Sequence, residues 1–207
     1  WFYGTDPATG ELFQQLDTGH GGWGATAGAD GAGPYKTMAH GDTLDVPVEV
    51  QETLCPLYIE SNALRTDSAS DGARRSGLGT EKVVRVLADS SVSVQIDRTV
   101  CLPWGLSGGT DGRGAIATVE PVTGKSYDIL KGTATMKAGD RFRLKTGGGG
   151  GFGAPLDRPP KAVATDVAAG YITPGHAADV YGVVTSGDGG LDAAATAAKR
   201  QKMKAAQ

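Results

Sequence analysis

Arg74 and Arg75 stand side by side in the run Asp71-Gly-Ala-Arg-Arg-Ser-Gly-Leu-Gly79. Two guanidinium groups in a glycine-flanked turn can clamp a phosphate or a carboxylate through paired hydrogen bonds. A structural ion pair to the neighbouring acidic strand is the plainer reading of the same residues. His40 and Asp42 flank Gly41, so two short side chains can converge there as an acid/base or ligand pair. Glu49 and Glu52 are three apart; on a strand they face opposite sides, which speaks against a paired-carboxylate mechanism. Asp67 before Ser68 reads as a turn cap. His20 lies in a glycine-rich loop, and His176 opens a short helix and is expected at the surface. There is no Gly-x-Ser-x-Gly elbow and no His-Glu-x-x-His, so no self-contained hydrolase is visible.

Five consecutive glycines, Gly147 to Gly151, raise the question of a phosphate cradle. A nucleotide loop of the Walker type needs its Lys-Ser/Thr pair after the glycines, where the lysine reaches the phosphates. Here Lys145-Thr146 precede them. A dinucleotide fingerprint needs a βαβ unit around it, and here Pro155 follows instead. The run is therefore expected to be a close-packed turn.

These residues must be held by strands first and helices later. Val92, Val94 and Ile96 alternate with Ser91, Ser93 and Gln95, the period of a half-buried antiparallel strand. Residues 57–64, 81–86, 114–122, 125–130 and 141–146 add short strands, and Val46, Val48 and Val50 suggest another. Beyond the glycines, Pro159-Pro160 start and Gly170 stops a helix. Thr173 caps a second short helix, and Asp192 caps a terminal one. The order predicts an α+β fold: a β-rich sandwich- or barrel-like layer with short C-terminal helices. Three regions are expected: a glycine-rich segment over 1–43 that packs on a larger assembly, a β-rich domain over 44–158, and a helical segment over 159–207.

The 207 residues carry a net charge of −3 with scattered basic residues, which gives no nucleic-acid footprint. The run Lys199 to Lys204 reads as a solvated helix terminus favoured by the helix dipole. Cys55 and Cys101, each near a proline in apolar surroundings, read as buried reduced thiols, which fits the cytoplasm. No apolar run reaches the roughly 20 residues that span a bilayer, and no signal peptide is visible. The chain begins at Trp1, so a longer or processed polypeptide is expected.

Four segments together carry a family resemblance. Thr146, Gly147 to Gly151, Phe152, Gly153, Pro155, Leu156, Arg158, Asp166-Val167 and Tyr181-Gly-Val-Val184 resemble the C-terminal signature of the hydantoinase B/oxoprolinase family. "LPWGLSGGTDGRGA", "VPVEVQETLCPLYIESNALRTDSASDGARRSGLG" and "GHGGWGATAGADG" resemble further segments of it, collinear from about residue 19 to 200. Two places depart from the family pattern: Asp67 to Gly72 replaces Asp-Ser-Gly-Gly-Ala-Gly, and Arg75-Ser76-Gly77 replaces Arg-Gly-Gly. Serine and alanine there speak against positive-φ backbone.

The resemblance implies the C-terminal part, or a small subunit, of a multi-subunit ATP-dependent enzyme that hydrolyses a cyclic amide. A related ketone carboxylase or a non-catalytic assembly subunit is the alternative. It implies a hydantoinase A-type partner that binds ATP and Mg and activates the substrate oxygen as a phosphate ester. It further implies a larger hydantoinase B-type fragment, a divalent metal on that missing N-terminal portion or on a partner, and a small-molecule substrate. Within this chain His40, Arg74 and Arg75 are the candidate catalytic residues, with no metal ligand, no nucleic acid and no membrane.

Overall fold

The computed structural model describes residues 1–36, 44–186 and 189–206. Two antiparallel sheets face each other, with strand orders β2-β1-β5-β8 and β3-β4-β9-β6-β7. The first contains β1 (Phe2–Thr5), β2 (Leu12–Gln15), β5 (Ser90–Gln95) and β8 (Lys131–Met136). The second contains β3 (Leu57–Leu64), β4 (Thr80–Val86), β6 (Ile116–Glu120), β7 (Tyr127–Asp128) and β9 (Arg141–Lys145). This is a sandwich of two open sheets rather than a barrel, and with its helices it is the α+β fold that the element order predicts.

Alternation decides what faces inward. Val92 and Val94 of β5, Val84 and Val86 of β4, Val119 of β6 and Met136 of β8 fill the space between the sheets. Phe2 meets Phe142 edge-to-face, with centroids 5.4 Å apart, and so joins the sheets. Burying each such side chain contributes about 1.5–3 kcal/mol.

Three features differ from the sequence reading. The first residues form the β1–β2 hairpin, whose apolar inward anchors are Phe2 and Phe13; four-residue strands are too short to show a period. Val48–Leu54 is a helix, α1, not a strand. Pro47 stands at its start, the buried Gln51 side chain donates to the Val46 carbonyl at 2.6 Å, and Glu52 Oε1 accepts from the Ile59 amide at 2.7 Å. Glu52 therefore latches α1 to β3, while Val50 and Leu54 face out. Cys55 is buried as expected, but Cys101 is exposed, on a loop outside the sheets.

The C-terminal helices lie where the punctuation puts them: α2 (Pro160–Ala168), α3 (Pro174–Val180) and α4 (Ala193–Ala205). The Thr173 hydroxyl accepts from the His176 amide, and the Asp192 carboxylate accepts from the Ala195 amide. Val163, Ile172, Ala177, Tyr181 and Val183 form a second small core. Among the described residues no helix is long and apolar enough to cross a membrane.

Candidate functional site

The glycine run is close-packed but is not a turn. None of Gly147 to Gly151 takes a positive φ, and the run carries no helix, strand or turn geometry. It is a thread that passes between the other glycine knots. The Gly22 amide donates to the Gly147 carbonyl at 3.1 Å, Ala25 to Gly150 at 2.9 Å, and Leu106 to Gly151 at 2.9 Å. The Ser70 hydroxyl donates to the Gly149 carbonyl, and Arg74 and Phe152 exchange backbone hydrogen bonds at 2.9 and 3.0 Å. A methyl added at Gly150 would sit 1.9 Å from the Trp104 carbonyl oxygen, and one at Gly148 2.5 Å from that of Ser68. The glycines are there because backbones touch. Ser68, Ala69 and Ser70 have ordinary φ, whereas Asp67 is at +57°.

Below this hub lies a cleft of about 470 Å³ at the end of the sandwich. Phe2, Val84, Val92 and Phe142 form its floor, and Gly21, Gly22, Gly147 and Gly148 form one wall. Several of its polar groups are paired. Lys82 Nζ is 2.6 Å from Asp17 Oδ2, and Asp45 takes His20 Nε2 at 3.0 Å and Lys36 Nζ at 2.7 Å. The His20 carbonyl accepts from the hydroxyls of Thr80 and Thr146, which pins the loop to β4 and to the start of the glycine thread. His20 is thus the histidine that this cleft brings against a carboxylate. Its partner Asp45 is 25 residues away, so no local spacing could have paired them. His40 and Asp42 lie outside the described residues.

The structure separates the two candidate arginines. Arg75 is held in a buried network rather than against an acidic strand. Its Nε is 3.0 Å from Asp166 Oδ1 on α2, its Nη1 donates to the Ser76 carbonyl, and its guanidinium lies 5.0 Å from the Tyr171 ring centroid. Arg158, 3% exposed, completes the network with two bonds to Asp30 at 2.7 and 2.8 Å and one to Asp166 at 2.8 Å. Burial alone would raise the Asp30 pKa, but the Arg158 hydrogen bond and charge outweigh it and hold that carboxyl below its usual range. Arg74 is exposed, and its guanidinium makes no hydrogen bond or ion pair among the described residues.

His176 is not a surface residue. Its Nε2 is 2.7 Å from Asp71 Oδ1, and both side chains are largely buried. Asp67 Oδ1 accepts from the Thr173 amide at 2.8 Å, so it caps α3 rather than its own turn. The Asp71 hydrogen bond raises the His176 pKa against the opposing effect of burial; Asp71 and Asp67 add charge in the same direction, and Arg113 opposes. Burial pushes the Tyr181 phenol up, and the Asp71 charge adds to it. A raised histidine pKa gives stability that is complete below about pH 6.5, the unfolded value, and fades as pH rises through the folded one. The Tm advantage of the wild type over His176→Gln is therefore expected to be largest in mild acid and to shrink as the solution is made alkaline. Melting curves across a pH series would show it; a pH-independent difference would refute the charged pair.

Among the described residues no group of three His, Cys, Asp or Glu side chains converges to hold a metal. Asp71 with His176, and Asp45 with His20, supply two donors each. Two donors at each place are too few to fit a divalent metal site.

The sequence profile of the hydantoinase B/oxoprolinase family matches residues 1–155, from the first strand to the end of the glycine thread. A D-/L-hydantoinase B-type protein of Pseudomonas sp. (strain NS671) is 31% identical over 180 residues, 86% of this chain and 30% of that protein. The beta chain of the Pseudomonas jessenii caprolactamase is 31% identical over 190 residues, 82% of this chain and 32% of that protein. The chain therefore spans about a third of the length of these curated relatives. The crystal structure of the ATP-dependent caprolactamase from Pseudomonas jessenii superposes with a TM-score of 0.78 at 27% identity, over 97% of this chain and 36% of that one. With the profile match running through the hub and the cleft floor, the chain belongs to the hydantoinase B/oxoprolinase family.

Proposed function

We propose that the chain is the C-terminal part, or a separately made small subunit, of an ATP-dependent hydantoinase/oxoprolinase-type enzyme that hydrolyses a cyclic amide. The observation that carries this is the identity over most of the chain to two proteins whose names describe amide-ring hydrolases, a hydantoinase and a caprolactamase. ATP and Mg belong to a hydantoinase A-type partner, which supplies phosphoryl activation of the amide oxygen. A divalent metal belongs to the larger hydantoinase B-type fragment or to a partner. The free thiols Cys55 and Cys101 fit a cytoplasmic setting.

Within this chain Arg74 is the residue we assign to substrate or intermediate. Its guanidinium is exposed, uncommitted and fixed at its backbone by Phe152. Such a group can hold the phosphate that an activated amide oxygen carries. Arg75 serves as a positioning residue, because its guanidinium is already spent on Asp166 and Ser76.

The test is reconstitution with the rest of a hydantoinase B-type polypeptide and an A-type subunit, followed by ATP-dependent hydrolysis of hydantoin, 5-oxoproline and caprolactam. Arg74→Ala is expected to lower kcat/KM roughly 100-fold while the complex stays intact. Arg75→Ala is expected to lower Tm, with activity falling in step with assembly. Full turnover by Arg74→Ala would leave this chain an assembly subunit. Bicarbonate-dependent consumption of acetone without amide hydrolysis would favour the carboxylase reading, which the 30% identity to the acetone carboxylase alpha subunit of Xanthobacter autotrophicus keeps in view.

A further inference from the structure

Tryptophan is ordinarily among the more buried side chains. The chain has three tryptophans, and none is in the core. Trp1 is 49% exposed, Trp23 48% and Trp104 66%. Two of them line one cleft, and the third is joined to it through Arg98. Trp1 and Trp23 line the mouth of the cleft with Tyr35, which is 56% exposed and packs edge-to-face on Trp23 with centroids 5.9 Å apart. Trp104 holds the Arg98 guanidinium 5.6 Å from its ring centroid, and Arg98 lines the same cleft.

Two cations at this mouth are not held in an ion pair, although the adjacent Asp97 carboxyl feels the Arg98 charge. Arg98 stacks on Trp104, and Arg113 gives one N–H to the Asp67 carbonyl; neither makes an ion pair among the described residues. Tryptophan, tyrosine and arginine are the residues that anchor protein interfaces, and a pocket that receives a side chain is the usual setting. Behind them the cleft has an apolar part lined by Phe2, Val92 and Phe142.

We infer that this cleft mouth is the docking surface for the remaining two-thirds of a hydantoinase B-type polypeptide, which inserts a segment bearing apolar side chains and at least one carboxylate. The inference rests on the function proposed above. The length argues for that occupant: the caprolactamase structure extends well beyond the 36% of its chain that this fold covers. The charge argues for the carboxylate, since Arg98 and Arg113 need a counter-charge once water is excluded.

The experiment co-expresses the tagged 207-residue chain with the complementary portion of the Pseudomonas jessenii caprolactamase beta chain, in soluble form, and measures what the tag retains. Wild type is expected to retain that portion, with its tryptophan emission shifted to the blue. Trp23→Ala/Trp104→Ala is expected to bind at least tenfold more weakly with an unchanged melting temperature, whereas Leu12→Ala, on the exposed face of β2, retains it fully. Equal retention by wild type and the double variant overturns the docking surface and leaves the proposed function standing. No retention by wild type overturns both. A wild-type homodimer that the double variant abolishes assigns the patch to a second copy and overturns the inference.

Discussion

Gly150→Ala is expected to cost the fold about 4 kcal/mol or to prevent folding outright. Overpacking a core usually costs about 1–3 kcal/mol because side chains move aside. At Gly150 no side chain can yield: the added methyl would lie 1.9 Å from the Trp104 carbonyl oxygen and 2.7 Å from its carbon. Moving Trp104 means moving the loop whose Leu106 amide binds the Gly151 carbonyl. The Gly150 carbonyl is itself fixed by Ala25. Three chain segments must therefore shift together, against a total stability of about 5–15 kcal/mol. Gly28→Ala is the control. Gly28 has no atom within 4 Å of the added methyl and no positive φ, so a change within about 0.5 kcal/mol is expected. Thermal or urea unfolding of the two variants decides the matter; equal stabilities would mean that the hub does not hold the domain together.

That hub also marks where sequence reading stops. The five glycines, the missing Walker lysine and the following proline are local facts, and they rightly exclude a nucleotide loop. Which backbones lie against the thread is a matter of contacts between residues far apart, such as Gly149 with Gly24 and Gly151 with Asp71. No spacing rule reports those. For the same reason four separate glycine knots in the sequence become one object in space.

Strands β5 and β9 are legible because Val92 and Val94, and Phe142 and Leu144, alternate with polar residues, and β4 because Val83, Val84 and Val86 concentrate β-branched apolar residues in one short run. Strand β8, Lys-Gly-Thr-Ala-Thr-Met, shows only Ala134 and Met136 to the core and carries a glycine, so pattern alone passes over it. Val46, Val48 and Val50 alternate without being buried, and Pro47 with the Gln51 and Glu52 side-chain bonds decides for helix over Val48–Leu54. Helices α2 to α4 were legible from proline, threonine, aspartate and glycine because capping is local. For the site, the type of Arg75 was readable but its partner was not: Asp166 lies on a helix 91 residues away.

Arg158→Met is expected to destabilise the protein by about 3–5 kcal/mol, the usual cost of stranding buried charge. Arg158 draws together the Asp30 loop, the Ala73 carbonyl and Asp166 on α2, and its own carbonyl accepts from Arg200 on α4. Without its guanidinium, Asp166, 7% exposed, keeps Arg75, and Asp30 keeps the Arg75 backbone amide, among the described residues. The pH dependence separates charge from packing. In the wild type the depressed Asp30 pKa contributes stability that is present above its unfolded value, about 3.9, and is lost as pH falls through the folded one. In Arg158→Met the Asp30 carboxyl, without the cation that lowers its pKa, can take up a proton as the solution approaches that range. The gap between wild type and variant is therefore widest at neutral pH and narrows in acid, and Arg158→Met with Asp30→Asn and Asp166→Asn recovers part of it at about pH 7. A gap of constant size from neutral pH to about pH 4 would assign the loss to the missing side-chain volume. Arg158 Nε has no hydrogen-bond partner among the described residues, so its grip on the two carboxylates runs through Nη1 and Nη2. What this arginine secures is then chiefly the placement of Arg75 and, through Ala73, of the neighbouring Arg74, so the triple variant is expected to regain stability ahead of activity.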